Sequence, residues 1–257
     1  MSALVSLPGR ASQARGVEPE PTWLVHRLLS VAIVALLPVV AITVDVLAGG
    51  PLRHLDDALA SGSWHRADPL LVDVALVFDR VGQRAIAGTV LVVVAALLAW
   101  RLRCWQPLVV TGVGLLVLNV VVGGLKLVIG RTKPLSGLDL LYDGGSQFPS
   151  GHAANAVVSW GLLSYLVLVH GPALRRGTKR MLLVLPVALT VGMSGASLYL
   201  DYHWLTDLLA GAALGLVLLA LVLAWDVRRR DVPLPRPAEP ATPGAAVLTL
   251  VPTRPPV

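Results

Sequence analysis

Apolar residues fall in six long runs along this chain, roughly 28–49, 85–101, 107–129, 153–171, 181–200 and 205–225, with shorter polar segments between them. A helix crossing the hydrocarbon core of a bilayer needs about 20 mostly apolar residues. The runs are that long and lack period-two alternation, so helices are expected rather than barrel strands. The pattern therefore predicts an all-α fold, a six-transmembrane-helix bundle. Between the first two runs, "DPLLVDVALVFDRVGQ" spaces its apolar residues as a helix does, with acids on the other face. It predicts a short helix lying at the membrane interface, with Trp64 as an anchor. Residues 130–152 contain Pro134, Gly137, Gly144, Gly145 and Pro149, which is turn chemistry and not a span. The expected division is a polar cytoplasmic lead (1–25), a six-span membrane domain (26–227) and a Pro-rich disordered cytoplasmic tail (228–257). The first run is long enough to span and stay, so no cleaved signal peptide is expected.

Composition sharpens this picture. Of 257 residues, 55% are hydrophobic and 14% charged, too apolar for a water-soluble domain of this size. The net charge of +6 first suggests nucleic acid, but its placement argues otherwise. Arg10, Arg15 and Arg27 precede the first run, and Arg101 and Arg103 follow the second. Arg175, Arg176, Lys179 and Arg180 follow the fourth, and Arg228, Arg229, Arg230 and Arg236 the sixth. If six helices alternate in direction, all of these lie on one side, which is cytoplasmic by the positive-inside rule. Both termini are then cytoplasmic in a multi-pass plasma-membrane protein. The basic clusters would meet anionic headgroups and not nucleic acid. The single cysteine, Cys104, excludes an internal disulfide and reads as an incidental thiol.

Alternation of the spans brings three polar clusters to the other, outer side: "KLVIGRTKP" (126–134), "FPSGHAAN" (148–155) and "GASLYLDYHWLTDLLAG" (195–211). Lys126, Arg131 and Lys133 concentrate cations at the edge of a span, where a charge needs an anion or water. Snorkelling to headgroups is the bland explanation for Lys126 alone; three cations before Pro134 look more like an anion site. Ser150 can cap a helix whose free N–H groups favour a phosphate-sized anion, and Gly151 allows close approach of a ligand. His152 falls in that first turn. His203 and Asp207 are four residues apart, which on a helix puts them on one face. A carboxylate on one imidazole nitrogen sets the tautomer and leaves the other as base or nucleophile. Together these groups are the equipment of phosphoryl transfer through a phosphohistidine.

These residues resemble the type 2 phosphatidic acid phosphatase superfamily, which includes bacterial acid phosphatases and vanadium haloperoxidases. Its pattern is Lys, six residues, Arg-Pro; then Pro-Ser-Gly-His; then Ser-Arg, five residues, His, three residues, Asp. The middle motif is complete as Pro149, Ser150, Gly151 and His152, and the third ends in His203 and Asp207. The resemblance implies an integral membrane phosphatase acting on a lipid phosphate or isoprenoid diphosphate. It implies His203 as nucleophile, Asp207 as its orienting carboxylate and His152 as general acid. Lys126, Ser150 and Gly151 would hold the phosphoryl oxygens, and no metal or other cofactor is implied. A haloperoxidase is disfavoured because those members are mostly soluble.

Two positions depart from the pattern: Lys133 stands where it has Arg before Pro134, and Ala196-Ser197 stand for its Ser-Arg. Arg grips phosphate bidentately, whereas Lys is a point charge and Ser carries none. Losing one preorganised donor costs roughly 3 kcal/mol of transition-state stabilisation. Three readings follow. An active hydrolase would draw the missing charge from Arg131, Arg80 or Arg84, and Ser197→Arg would raise its rate. A catalytically impaired protein would bind or carry a lipid phosphate. A phosphotransferase would pass the group to an acceptor other than water. A transporter without chemistry would explain intramembrane polar groups, though not three ordered motifs. Asp201 has no counterpart in the pattern and reads as a helix cap.

Overall fold

The computed structural model describes residues 22–62, 64 and 66–231. Its helices are α1 (Thr22–Ala48), α2 (Pro51–Ala60), α3 (Pro69–Gly82), α4 (Arg84–Leu102), α5 (Gln106–Ile129), α6 (Gly151–His170), α7 (Arg176–Tyr199) and α8 (Leu205–Asp231), with a 3₁₀ turn at Pro134–Ser136. The described residues contain no strand. Helices α1 and α4 to α8 are each long and apolar enough to cross a bilayer. The six-span, all-helical reading holds, and the protein is a multi-pass membrane protein. Helix α1 starts inside the segment expected to be a polar lead, and α8 runs past the boundary drawn at 227. The rest of the lead and of the tail, 1–21 and 232–257, lies outside the described residues.

Local chemistry explains most boundaries. Asp68 caps α3 by accepting from Leu70 N at 2.8 Å, and Pro69 opens the helix. Helix α5 stops at Gly130, whose φ of 56° is the left-handed conformation that closes a helix. Ser150 caps α6 through Ala153 N at 3.3 Å. Helix α2 was not expected, because its ten residues "PLRHLDDALA" carry too few apolar positions to stand out.

The helix expected between the first two runs is present as α3, and it packs on α7 and on α6. Asn155 and Trp160 of α6 donate to the carbonyls of Gly82 (2.9 Å) and Val81 (3.2 Å) at its end. Trp64 sits 6.3 Å from the ring of Tyr199, so it is tied to the end of α7.

The innermost helices are α6 and α8, whose most apolar stretches are 50% and 56% buried against 28% for each of the other four spans. They cross closely. A Cβ on Gly211 would strike the Ser150 carbonyl, and one on Gly215 would lie 2.9 Å from the Ala154 carbonyl. The core between spans is aliphatic, around Leu91, Val110, Val158, Leu162 and Leu218. Leu37, Leu116, Leu127 and Val191 face outward on the lipid side of their helices. The basic ends of α4, α7 and α8 lie away from the three polar clusters. There Asp226 accepts from Gln106 (2.9 Å), Tyr165 (2.7 Å) and Arg230 (2.6 Å), locking α5, α6 and α8 together.

Candidate active site

The close crossing of α6 and α8 assembles the site. Ser150 N donates to the Asp207 carbonyl at 2.9 Å, so the first turns of the two helices are stapled together. His152 and His203 then face each other, their rings edge to face at 5.7 Å. From the end of α5, Lys126 reaches over the same turn. Its Nζ would lie 3.5 Å from a Cβ on Gly151, and it donates to the Ser146 carbonyl. The bare Cα of Gly151 leaves the space in which a cation and the open N–H groups of a helix start can share one anion. Lys126, Ser150, Gly151, His152, His203 and Asp207 thus converge.

His203 and Asp207 are not on one helical face, as their spacing suggested. His203 precedes the helix, which begins at Leu205. Asp207, in the first turn, folds back. Its Oδ2 accepts from Trp204 N at 3.1 Å and lies 3.4 Å from His203 Nδ1. This is the reciprocal bond of a capping box, with a histidine added to it. His203 is 4% exposed and Asp207 fully buried, so the pair meets in a low-dielectric setting. With Nδ1 directed at the carboxylate, Nε2 is the nitrogen available for chemistry.

Arg131 is not a substrate clamp in this structure. It is fully buried, and all five of its N–H groups are used. Nε and Nη2 meet Asp139 at 2.8 and 2.7 Å, and Nη2 also meets Asp56 at 2.8 Å. Nη1 meets Thr206 Oγ1 at 2.7 Å and Asp207 Oδ1 at 2.9 Å. The guanidinium also sits 5.0 Å from the ring centroid of Trp204. Arg131 therefore holds Asp207 from behind, and its charge is spent on carboxylates.

The residues around it form a buried scaffold. Asp56, from α2, accepts from Thr206 N at 3.0 Å and from the Thr206 hydroxyl, capping α8. Burial pushes the Asp56 carboxyl above its ordinary value, against the pull of Thr206 and Arg131. Asp139 is shared between Arg131 and Arg53, whose Nε donates to it at 2.7 Å. Burial acts upward on Asp139 too, but the bonds and charges of Arg131 and Arg53 outweigh it and hold that carboxyl below the ordinary range. The loop bearing Asp139 folds back on the end of α5 through Tyr142 N to Ile129 O (2.9 Å), Gln147 N to Arg131 O (3.1 Å) and Thr132 N to Leu140 O (3.0 Å).

Ser197 also departs from its expected place. It is fully buried on α7, and its hydroxyl donates to Asp79 Oδ1 of α3 at 2.5 Å, not to the site. Lys133 is exposed at the start of the 3₁₀ turn, outside the cluster. Asp201 follows the end of α7 in a left-handed conformation (φ 57°) and lies 4.0 Å from Arg66. Arg84, in the first turn of α4, is near enough to interact electrostatically with both Lys126 and His152.

The residues missed in the sequence are Asp56, Asp79, Asp139 and Arg53. Each looked like an ordinary acid or base of an outer loop. For Asp79 alone a signal existed, since it lies on the same helical face as Ala75, which turns inward.

Residues 107–231 match the family model described as PAP2 superfamily. Phosphatidylglycerophosphatase B of Bacillus subtilis (strain 168) is 28% identical over 179 residues, which cover 68% of this chain and 85% of that protein. The crystal structure of a transmembrane PAP2 type phosphatidylglycerolphosphate phosphatase from Bacillus subtilis has the same fold. It aligns with a TM-score of 0.65 at 24% identity over 79% of this chain and 97% of that one. The segment that matches the family model, just under half of the chain, carries all three polar clusters.

Proposed function

We propose that the protein is a lipid phosphate phosphatase that works through a phosphohistidine on His203. The observation that carries this reading is the convergence of the buried His203–Asp207 pair, His152 and Lys126 on the open start of α6. In the first step His203 Nε2 attacks phosphorus, and the ester P–O bond breaks. The leaving oxygen keeps the electron pair and takes a proton from His152. In the second step water attacks the phosphohistidine and gives His152 its proton. The P–N bond then breaks, returning the electron pair to His203 and releasing phosphate. Asp207 stabilises the charged imidazole in between. Lys126 and the N–H groups at Gly151 and His152 hold the phosphoryl oxygens. Arg84 supplies the second cation, since Arg131 is engaged elsewhere. No step calls for a metal.

The relative's name supports a glycerophospholipid phosphate as substrate. So does a groove between α6, α7 and α8 of about 560 Å³, lined by Val157, Gly161, Leu182, Val191, Leu216 and Leu219 among others. Its upper end at Val157 lies five residues, or about 8 Å of helix rise, from His152. An acyl chain seated there would leave the headgroup at the site. The basic helix ends opposite the site favour a site facing away from the cytoplasm.

A second reading keeps one observation in its favour: neither Arg131 nor Ser197 offers a group to the site. A slow enzyme or a lipid-phosphate carrier would look the same. The test is phosphate release from a panel of lipid phosphates and diphosphates without added metal, with His203→Ala prepared in parallel. Release that vanishes in the variant supports the phosphatase. Lipid phosphate bound by a folded protein with no release from either moves the assignment to a carrier.

A further inference from the structure

We infer that Asp79 is a positioning residue for His152, so that the site is built from two imidazole–carboxylate pairs, one for the nucleophile and one for the acid. The inference rests on the phosphatase reading above. Asp79 is 4% exposed, on a helix that the sequence placed at the membrane interface. Its Oδ1 takes the Ser197 hydroxyl, and its Oδ2 lies 4.0 Å from His152 Nε2. At 4.0 Å this is a charge contact and not yet a hydrogen bond; such contacts tighten when a substrate closes the site.

The surrounding packing holds the carboxylate in that place. The end of α3 is fastened to α6 by Asn155 and Trp160, which donate to the carbonyls of Gly82 and Val81 just beyond Asp79. Gly82 allows the approach. A Cβ there would lie 2.7 Å from Met193 Cγ and 3.2 Å from the His152 carbonyl. Ser197 completes the arrangement. A hydroxyl uses one carboxylate oxygen and leaves the other to His152. An Arg at 197, as in the motif, would claim both oxygens with its planar fork. The departure at 197 therefore reads as part of a different acid apparatus and not as a lost clamp. His152 is also faced by His203 from the turn before α8, Lys126 from α5 and Arg84 from α4. Among these groups Asp79 is the only anion.

The carboxylate keeps the ring turned with Nε2 toward α3 and Nδ1 toward the leaving oxygen, and it favours the proton-bearing imidazole that donates there. Its effect should grow with the difficulty of protonating the leaving group. A fatty-alkyl phosphate needs the proton, whereas 4-nitrophenolate departs without it. The second step is common to both esters, so the comparison is made in kcat/KM, which reports the first. In Asp79→Asn, kcat/KM on dodecyl phosphate should fall about 10- to 100-fold, part of what general acid catalysis supplies, while kcat/KM on 4-nitrophenyl phosphate changes less than about threefold. Ser197→Ala removes one hydroxyl and leaves the fold in place. It should show the same bias at about 3- to 10-fold. Equal losses on both esters, or no loss on either, would overturn the inference, and Ser197→Ala decides it if Asp79→Asn does not fold. A parent protein that hydrolyses neither ester sinks the phosphatase reading itself. A parent active on both, with His203→Ala silent, keeps that reading and leaves the ester comparison to judge Asp79 alone.

Discussion

Replacing Arg131 separates the two roles a cation can play here. In the structure its five N–H groups meet Asp139, Asp56, Asp207 and Thr206 at 2.7–2.9 Å, and the side chain has no exposed surface. Arg131→Met leaves three buried carboxylates without their shared partner. Asp139 keeps Arg53, Asp56 keeps Thr206, and Asp207 keeps His203 and the Trp204 N–H. Removing one side of a buried charge pair costs about 3–5 kcal/mol. At roughly 2–4 °C per kcal/mol for a domain of this size, Tm in detergent should fall by about 6–20 °C. Arg131→Lys retains the charge but has three donors for five acceptors in a fixed plane, so it should fall between the parent and Arg131→Met. Activity should drop through kcat as Asp207 loosens, with KM for the phosphate ester little changed. The measurement is thermal unfolding of the purified protein, read beside steady-state kinetics. An unchanged Tm in Arg131→Met, with KM raised tenfold or more, would refute the scaffold role and return Arg131 to the substrate, where its place in the sequence first put it.

Four further outcomes are expected. Ser197→Arg should lower the rate, not raise it, because the larger side chain enters a fully buried position and pairs with Asp79; kcat of the variant checks this. Arg84→Ala should raise KM for the phosphate ester about tenfold, the weight of one charge-assisted contact, with Tm unchanged. Val191→Trp, which fills the groove between α6, α7 and α8, should lower kcat/KM for long-chain substrates and spare 4-nitrophenyl phosphate. Asp139 has a carboxyl held below its ordinary value, so its stabilising effect is complete above the unfolded value near pH ~4 and is lost as pH falls through the folded one. Tm of the parent should therefore fall more steeply below about pH 4 than that of Asp139→Asn.

The long-range frame of this protein was legible in the chain because a bilayer leaves few options. Every backbone group inside it must be bonded within its own helix, so six apolar stretches of sufficient length are enough to define six spans. Two ends were well marked: the third run stops at 129, where α5 ends, and the Ser150 cap before α6 stands where the structure has it. His152, His203 and Asp207 were legible for a similar reason. They lie at span ends that alternation alone brings to one level. Their pairing was also expected, though through the wrong geometry, since a capping turn and not a helical face joins His203 to Asp207.

What the chain did not disclose is where each charge spends itself. Arg131 and Lys126 lie five residues apart, yet one is sealed among carboxylates and the other lies over Gly151. That difference depends on α2 and the 130–147 loop, whose acids Asp56 and Asp139 come from segments with no pattern of their own. Likewise nothing local links Asp79 to Ser197, 118 positions away. Hydrophobic period and chain alternation determine which end of the bundle each polar residue reaches, because the membrane sorts residues by depth. Only the tertiary packing of α2, α3 and the connecting loop decides which of them face the substrate and which hold the site from behind. A buried charge takes the partner that closes around it, and that partner comes from elsewhere in the chain.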